Sequence, residues 1–287
     1  MHFPDELLRR AESLADGTGD WTPPDTRNAA TVVLLRSIEG LLEVFLMRRA
    51  TTMAFAAGMH VFPAGVVDPD DVSVPVVGQA WDEAAHRLTA SEDLARALWS
   101  AAARETFEEC GVLLVSPQVS EVGERWERQR RALIDGSASF STMVREAQLA
   151  VKADDLQPWS HWITPEVESR RYDTRFFVAA LPNGQHAHSM TDETDQTHWM
   201  APALALERYE AGELPMLLPT VDVLRSLVPF STPHDVLKAA RKREICPLLP
   251  TAERAGDRSL VWEVRDARTG EARRDLVVRP GERGRPG

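Results

Sequence analysis

Apolar and polar positions along the chain switch between two periods. The runs "ATVVLLRS" and "LLEVFLMRR" are rich in β-branched and large apolar residues and meet around Glu39-Gly40, a pattern that predicts a β-hairpin. "MHVFPAGVV" predicts a third extended segment leading into a turn. From Ser91 to Cys110 the period becomes helical, with Leu94, Ala97, Leu98, Ala101 and Ala102 recurring on one side. Ser91 is placed to cap this helix, Glu92 and Asp93 fall in its first turn, and Gly111, free to take positive φ, closes it. "VLLVS" then predicts a buried strand, and residues 121–151, rich in Arg, Glu, Gln and Ala, predict one or two solvated helices. "RFFVAAL" predicts a strand, "HWMAPALALERYEAGEL" a strand end entering a helix, and "TVDVLRSL" a further helix. Upstream, a short amphipathic helix is followed by a Gly/Pro/Asp/Thr-rich linker at 16–30, and the Gly/Arg/Pro end predicts a disordered tail. No internal repeat is present in the sequence.

Length and charge narrow the classes. A chain of 287 residues can form one large domain with additions or two modest ones. Its 33 Lys+Arg against 44 Asp+Glu give a formal net charge of −11, which argues against nucleic acid or an anionic membrane as the main partner but allows a local basic pocket. No apolar run reaches transmembrane length and the N-terminal stretch has no secretory apolar core, so a cytoplasmic location is expected. Cys110 and Cys246 form neither a disulfide framework nor a zinc pattern and read as small buried or half-buried thiols. His186, His188 and His198 match no zinc spacing and read as loop and surface residues.

The chemistry concentrates at the end of the 91–110 helix. At about 100° per residue, Glu108 lies roughly 60° to one side of Glu105 and Glu109 roughly 40° to the other, so the three carboxylates share a face. Phe107 projects near the opposite side with Ala103 and Cys110, which lets the helix bury one stripe and offer the acidic one to a cleft. Crowded carboxylates repel, and only Arg104 stands beside them, so a hard cation such as Mg²⁺, Mn²⁺ or Ca²⁺ is expected there. A solvated acidic face is the competing interpretation.

The order of residue types favours the first. Arg104-Glu105-Thr106-Phe107-Glu108-Glu109-Cys110-Gly111-Val112 resembles the C-terminal half of the signature of the Nudix hydrolases, with Thr106 replacing an aliphatic residue. The resemblance implies an α/β fold, an α/β/α sandwich with a mixed β-sheet, here with helical insertions and a C-terminal extension. It also implies hydrolysis of a diphosphate linked to a nucleoside, with Mg²⁺ or Mn²⁺ as cofactor. The front half departs from the pattern: the family's Gly and Glu positions before the Arg are Ala90 and Arg96 here. The Gly is instead Gly65 in "HVFPAG", which leaves residues 66–90 as an insertion, and Glu92 or Asp93 is the expected substitute for the missing Glu. An interrupted signature is similar to that of the family branch acting on coenzyme A and its acyl esters. "RRATTMAFAAGMHVFPAG", "RRYDTRFFVAALP" and "DETDQTHWMAPALALE" resemble that branch as well.

By this resemblance residues 1–27 form an N-terminal helix and linker. Residues 28–230 form the Nudix domain with insertions at about 66–90 and 120–160, and 231–287 form an extension with a disordered tail. Glu108 and Glu109 are the implied direct metal ligands, with Glu105 as ligand or water-positioning group and the carbonyl near Gly65 as a further oxygen. Arg104 orients Glu105. Glu193 is the candidate loop carboxylate for general base, with Asp192 and Asp195 competing. The 3′-phosphate of coenzyme A requires a cation away from the metal, and Arg48, Arg49, Arg170 and Arg171 are the candidates. The partner is then a small nucleoside diphosphate derivative, with a homodimer allowed. ADP-ribose, a nucleotide sugar, a dinucleoside polyphosphate, a capped RNA end, or a catalytically impaired ligand-binding role stay open at this point.

Overall fold

The computed structural model describes residues 5–52, 56–78, 81–89, 91–120, 122–189, 194–254 and 260–273. The first elements are α1 (Asp5–Asp16), β1 (Thr26–Ile38), β2 (Leu41–Arg49), β3 (His60–Val61) and β4 (Ala64–Val66). After a 3₁₀ turn at Pro69–Ser73 come β5 (Val76–Val77), α2 (Trp81–Leu88), α3 (Glu92–Cys110) and β6 (Val115–Ser116). The middle of the chain forms α4 (Glu124–Ile134), α5 (Phe140–Glu146), β7 (Ala150–Lys152), β8 (Leu156–Ile163) and β9 (Arg171–Ala180). The rest is β10 (Thr194–Met200), α6 (Pro202–Glu210), α7 (Leu218–Leu227), α8 (Pro233–Ala240), β11 (Pro247–Arg254) and β12 (Leu260–Asp266). Two compact units result: the smaller takes the described residues of 1–28, 161–174 and 246–287, the larger those of 29–160 and 175–245.

In the larger unit β1 and β2 pair antiparallel with Ile38 opposite Leu41, and Glu39 (φ 52°) and Gly40 (φ 80°) make the two-residue turn. Two consecutive positive φ values are what the right-handed twist of a tight hairpin requires. Strands lie in the order β10-β2-β1-β9-β8, with β3 on β2 and β4 on β1. Residues 29–35 are buried without alternation, the pattern of a strand covered on both faces. One face, carrying Ala30, Val32, Leu34, Phe45, Met47, Phe177 and Ala179, shares a core with Leu98, Ala102 and Phe107 of α3. Trp99 of α3 anchors that core: its indole N–H donates to the Leu156 carbonyl at 2.8 Å, and its ring meets Trp81 and Phe177 edge-on, each at 5.0 Å. Elsewhere α6 packs on β2 and against α7. The architecture is an α/β/α sandwich. A second small sheet, β5-β7-β6, is mixed: β5 runs parallel to β7 and β6 antiparallel.

In the smaller unit β11 pairs antiparallel with β12 and parallel with residues 161–162 of β8. Ala11 of α1 packs with Val167 and Trp262, and the Trp21 indole donates to the Glu166 carbonyl at 2.7 Å. No helix among the described residues is long and apolar enough to cross a membrane.

Several elements differ from their sequence expectations. β1 starts at Thr26, which shortens the linker, and only Val115–Ser116 of "VLLVS" pair as strand although 112–115 are buried. The helices expected to be solvated are half-buried: Leu133, Phe140, Met143 and Val144 join the core of the larger unit. Within the 66–90 insertion, Ala84, Ala85 and Leu88 of α2 join the same core. The expected disordered tail, from residue 274 onward, lies outside the described residues.

Candidate active site

The helix α3 starts and stops where its sequence dictates. The Ser91 hydroxyl accepts the Leu94 amide at 3.2 Å, and Gly111 takes φ 71° while its amide bonds the Phe107 carbonyl at 2.9 Å. Thr106 is fully buried, and its hydroxyl donates to the Ala102 carbonyl one turn back at 2.7 Å. That bond satisfies the hydroxyl, so threonine is accommodated where an aliphatic side chain would also fit.

Arg104 is the hub. Only 7% exposed, it forks onto the buried Asp71, with Nε donating to Oδ1 at 3.1 Å and Nη2 to Oδ2 at 3.0 Å. Nη2 also donates to the Val66 carbonyl at 2.8 Å, and Nη1 donates to Glu105 at 2.7 Å and Glu108 at 3.5 Å. Burial opposes the Arg104 charge, but the bonds to Asp71 and the charges of Glu105 and Glu108 outweigh it and hold the guanidinium protonated above its ordinary range.

The carboxylates beside it are desolvated. Burial raises Glu105, with Arg104 opposing, and burial together with the charge of Glu105 pushes Glu108 up to about 7. Glu109 accepts the Ala64 amide at 2.9 Å. Gly65 faces Glu105 so closely that a Cβ there would lie 1.9 Å from the carboxyl carbon. The donor set is therefore all oxygen, half-buried and under-neutralised, which suits a hard divalent cation. Among the described residues no three acidic, His or Cys side chains converge on one point, because Arg104 sits between Glu105 and Glu108 while Glu109 is turned to Ala64. Arg130, fully buried, closes the far end: it donates to the carbonyls of Glu108 at 3.0 Å and His188 at 3.1 Å, and the His188 amide bonds the Cys110 carbonyl at 3.0 Å. A cation at a helix C-terminus is favoured by the helix dipole.

The family model described as NUDT19 Nudix domain matches residues 75–227. A crystal structure of a NUDIX hydrolase from Alicyclobacillus acidocaldarius superposes with a TM-score of 0.63 at 30% identity, covering 75% of this chain and 96% of that one. The chain belongs to the Nudix hydrolase family. Two further relatives are named "Acyl-coenzyme A diphosphatase NUDT19". The human protein is 29% identical over 273 residues, with 80% of this chain and 71% of that protein covered. The Xenopus laevis protein is 26% identical over 243 residues, with 71% of this chain and 64% of that protein covered.

Within the Nudix signature, the structure brings Arg104, Glu105, Glu108 and Gly65 together, and Glu109 is held on the neighbouring Ala64 amide. For Glu92 the expectation that it replaces the missing front-half carboxylate is corrected: Glu92 pairs with Arg96 at 2.9 Å, and the carboxylate from the 66–90 insertion that takes the Arg104 fork is Asp71. Glu193 and Asp192 lie outside the described residues, and Asp195 stands 3.8 Å from Arg48. Arg48 and Arg49 end β2 in the larger unit, whereas Arg170 and Arg171 belong to the smaller one, where Arg171 donates to the carbonyls of Thr164 and Pro24. Arg48 lines a cavity of about 320 Å³ with His60, His198, Arg208, Gln196 and Glu213. Of the histidines expected in loops or on the surface, His188 contacts Arg130, and His198 lies on β10 with its ring 5.8 Å from His60. Sequence reasoning missed Asp71, Ser100 and Arg130.

The raised Glu108 carries a pH signature. Because the folded chain keeps this proton up to about pH 7 while the unfolded chain loses it near 4.5, its stabilising contribution is present below 4.5 and is lost as pH rises through 7. In chelator, Glu108→Gln should therefore match wild type in melting temperature near pH 4.5 and exceed it at pH 8. A difference that stays constant across that range contradicts the desolvated carboxylate.

Proposed function

We propose that the chain hydrolyses the diphosphate of coenzyme A or acyl-coenzyme A to 3′,5′-ADP and the (acyl-)4′-phosphopantetheine. Water adds across the P–O–P linkage, its oxygen joining one phosphorus as the bridging oxygen leaves with the other. The observation that carries the hydrolytic reading is the desolvated carboxylate face of α3 set against Gly65, in a segment matching the NUDT19 Nudix domain. The names of the relatives support the substrate class.

Bound Mg²⁺ or Mn²⁺ supplies neutralisation of the diphosphate oxygens and acidification of the attacking water. Glu108 and Glu109 offer the ligand oxygens, with Glu105 as ligand or water-positioning group and the Gly65 carbonyl as a further oxygen. Arg104 holds the Glu105 carboxylate in place. Glu193 is the proposed general base.

Arg48 is the candidate for the 3′-phosphate. His60, in the same cavity, precedes Ala64 by four residues, so the chain between the cavity and the Glu109 contact spans at most about 14 Å. Coenzyme A should be cleaved faster than dephospho-coenzyme A, and Arg48→Ala should erase that preference without changing divalent-metal binding. Equal rates for wild type on both substrates, or faster cleavage of ADP-ribose than of either, would replace this substrate with a general nucleoside diphosphate.

A further inference from the structure

The signature's front half lacks its carboxylate, since Arg96 occupies that place, yet the guanidinium of Arg104 is not left without one. The 66–90 insertion returns it. Asp71 is 2% exposed, and both its oxygens are saturated by the protein. Oδ1 accepts the Ser100 hydroxyl at 2.7 Å and Arg104 Nε at 3.1 Å; Oδ2 accepts Arg104 Nη2 at 3.0 Å and the Asp68 amide at 2.8 Å. Ser100 lies one helical turn before Arg104, so the helix itself fixes where Asp71 sits.

The consequence concerns the other side of the guanidinium. An arginine fork pairs best with a carboxylate through two parallel N–H bonds. Asp71 takes that fork, Val66 takes a further Nη2 proton, and Nη1 alone faces Glu105 and Glu108. Without Asp71 the fork would turn to Glu105 or Glu108 and occupy the oxygens a metal requires. We infer that Asp71 is a positioning residue that restrains Arg104 and so keeps Glu105 and Glu108 available to a divalent cation, replacing the carboxylate absent at Arg96. The inference rests on the reading of this helix face as a metal site.

Mn²⁺ binding measured without substrate, by calorimetry or by loss of the free-ion EPR signal, tests it in the full chain. Asp71→Asn keeps the shape and removes the charge. It should weaken Mn²⁺ binding by at least about tenfold, the scale on which partners of metal ligands act. Arg104→Gln and the double variant Asp71→Asn/Arg104→Gln should bind Mn²⁺ alike to within about twofold, because with the guanidinium gone Asp71 has nothing to restrain. Wild-type affinity in Asp71→Asn, or a further loss when Asp71→Asn is added to Arg104→Gln, overturns the inference. Should Asp71→Asn alone fail to fold, with its buried guanidinium unpaired, the comparison of Arg104→Gln with the double variant decides by itself. A folded wild-type chain that binds no Mn²⁺ overturns the metal reading and this inference with it, an outcome separate from normal binding in both wild type and Asp71→Asn.

Discussion

Glu108→Gln and Glu109→Gln should each lower hydrolysis of coenzyme A, the proposed substrate, by at least about a hundredfold, roughly 3 kcal/mol of transition-state stabilisation, while the chain stays folded. Glutamine preserves length and helix propensity and removes only charge. At position 109 an amide oxygen can still accept the Ala64 N–H that Glu109 accepts at 2.9 Å, so the loop before α3 keeps its anchor. At position 108 the substitution relieves a desolvated charge repelled by Glu105, so the metal-free variant should melt higher than wild type at neutral pH. Activity and stability thus move in opposite directions, which separates a functional carboxylate from a structural one. Turnover near wild type in either variant, with Mn²⁺ saturating, removes that residue from the metal site.

Gly65→Ala should abolish turnover to a similar extent, by displacement of Glu105 rather than by unfolding. The backbone at Gly65 is not in the left-handed region, so alanine is not strained there. The added methyl group instead lands 1.9 Å from the Glu105 carboxyl carbon, inside any contact distance. Glu105 must then leave its place at Arg104 Nη1, where it now sits at 2.7 Å. Circular dichroism should be unchanged, and both Mn²⁺ affinity and hydrolysis should fall by at least about a hundredfold. A variant with ordinary turnover would mean that Glu105 has no part in the chemistry.

What was legible in the sequence was what local rules control. The hairpin at Glu39-Gly40 and the cap-to-cap extent of α3 follow from turn chemistry and period, and the shared face of Glu105, Glu108 and Glu109 follows from helix geometry. The supports of that face come from distant parts of the chain. Asp71 lies 33 residues before Arg104 in sequence and Arg130 lies 22 after Glu108, and neither separation carries a periodic signal. Glu92 was a reasonable substitute by proximity in sequence, but twelve residues of helix place it about 18 Å along the axis from Arg104. Arg130 looked solvated because it sits in a charged run, although the fold buries it completely. β8 carries no strand period in its sequence, because Gln157, Pro158, Ser160 and His161 interrupt a strand whose first seven residues are all buried. β11 is interrupted by Pro247 and Pro250 and ends in Glu253 and Arg254, and β12 is a short apolar run closing on Arg265 and Asp266.

The insertion that interrupts the signature is wedged into the protein at two levels: Asp71 grips the signature arginine, Arg104, and α2 lends Ala84, Ala85 and Leu88 to the core. It cannot be treated as a removable cassette. A chimera that excised it to recreate the uninterrupted family spacing would lose a counter-ion and part of the hydrophobic interior in one cut. A working transplant of the shorter loop would therefore have to bring its own carboxylate for Arg104 and new apolar cover for Trp99, which α2 now shields through Trp81.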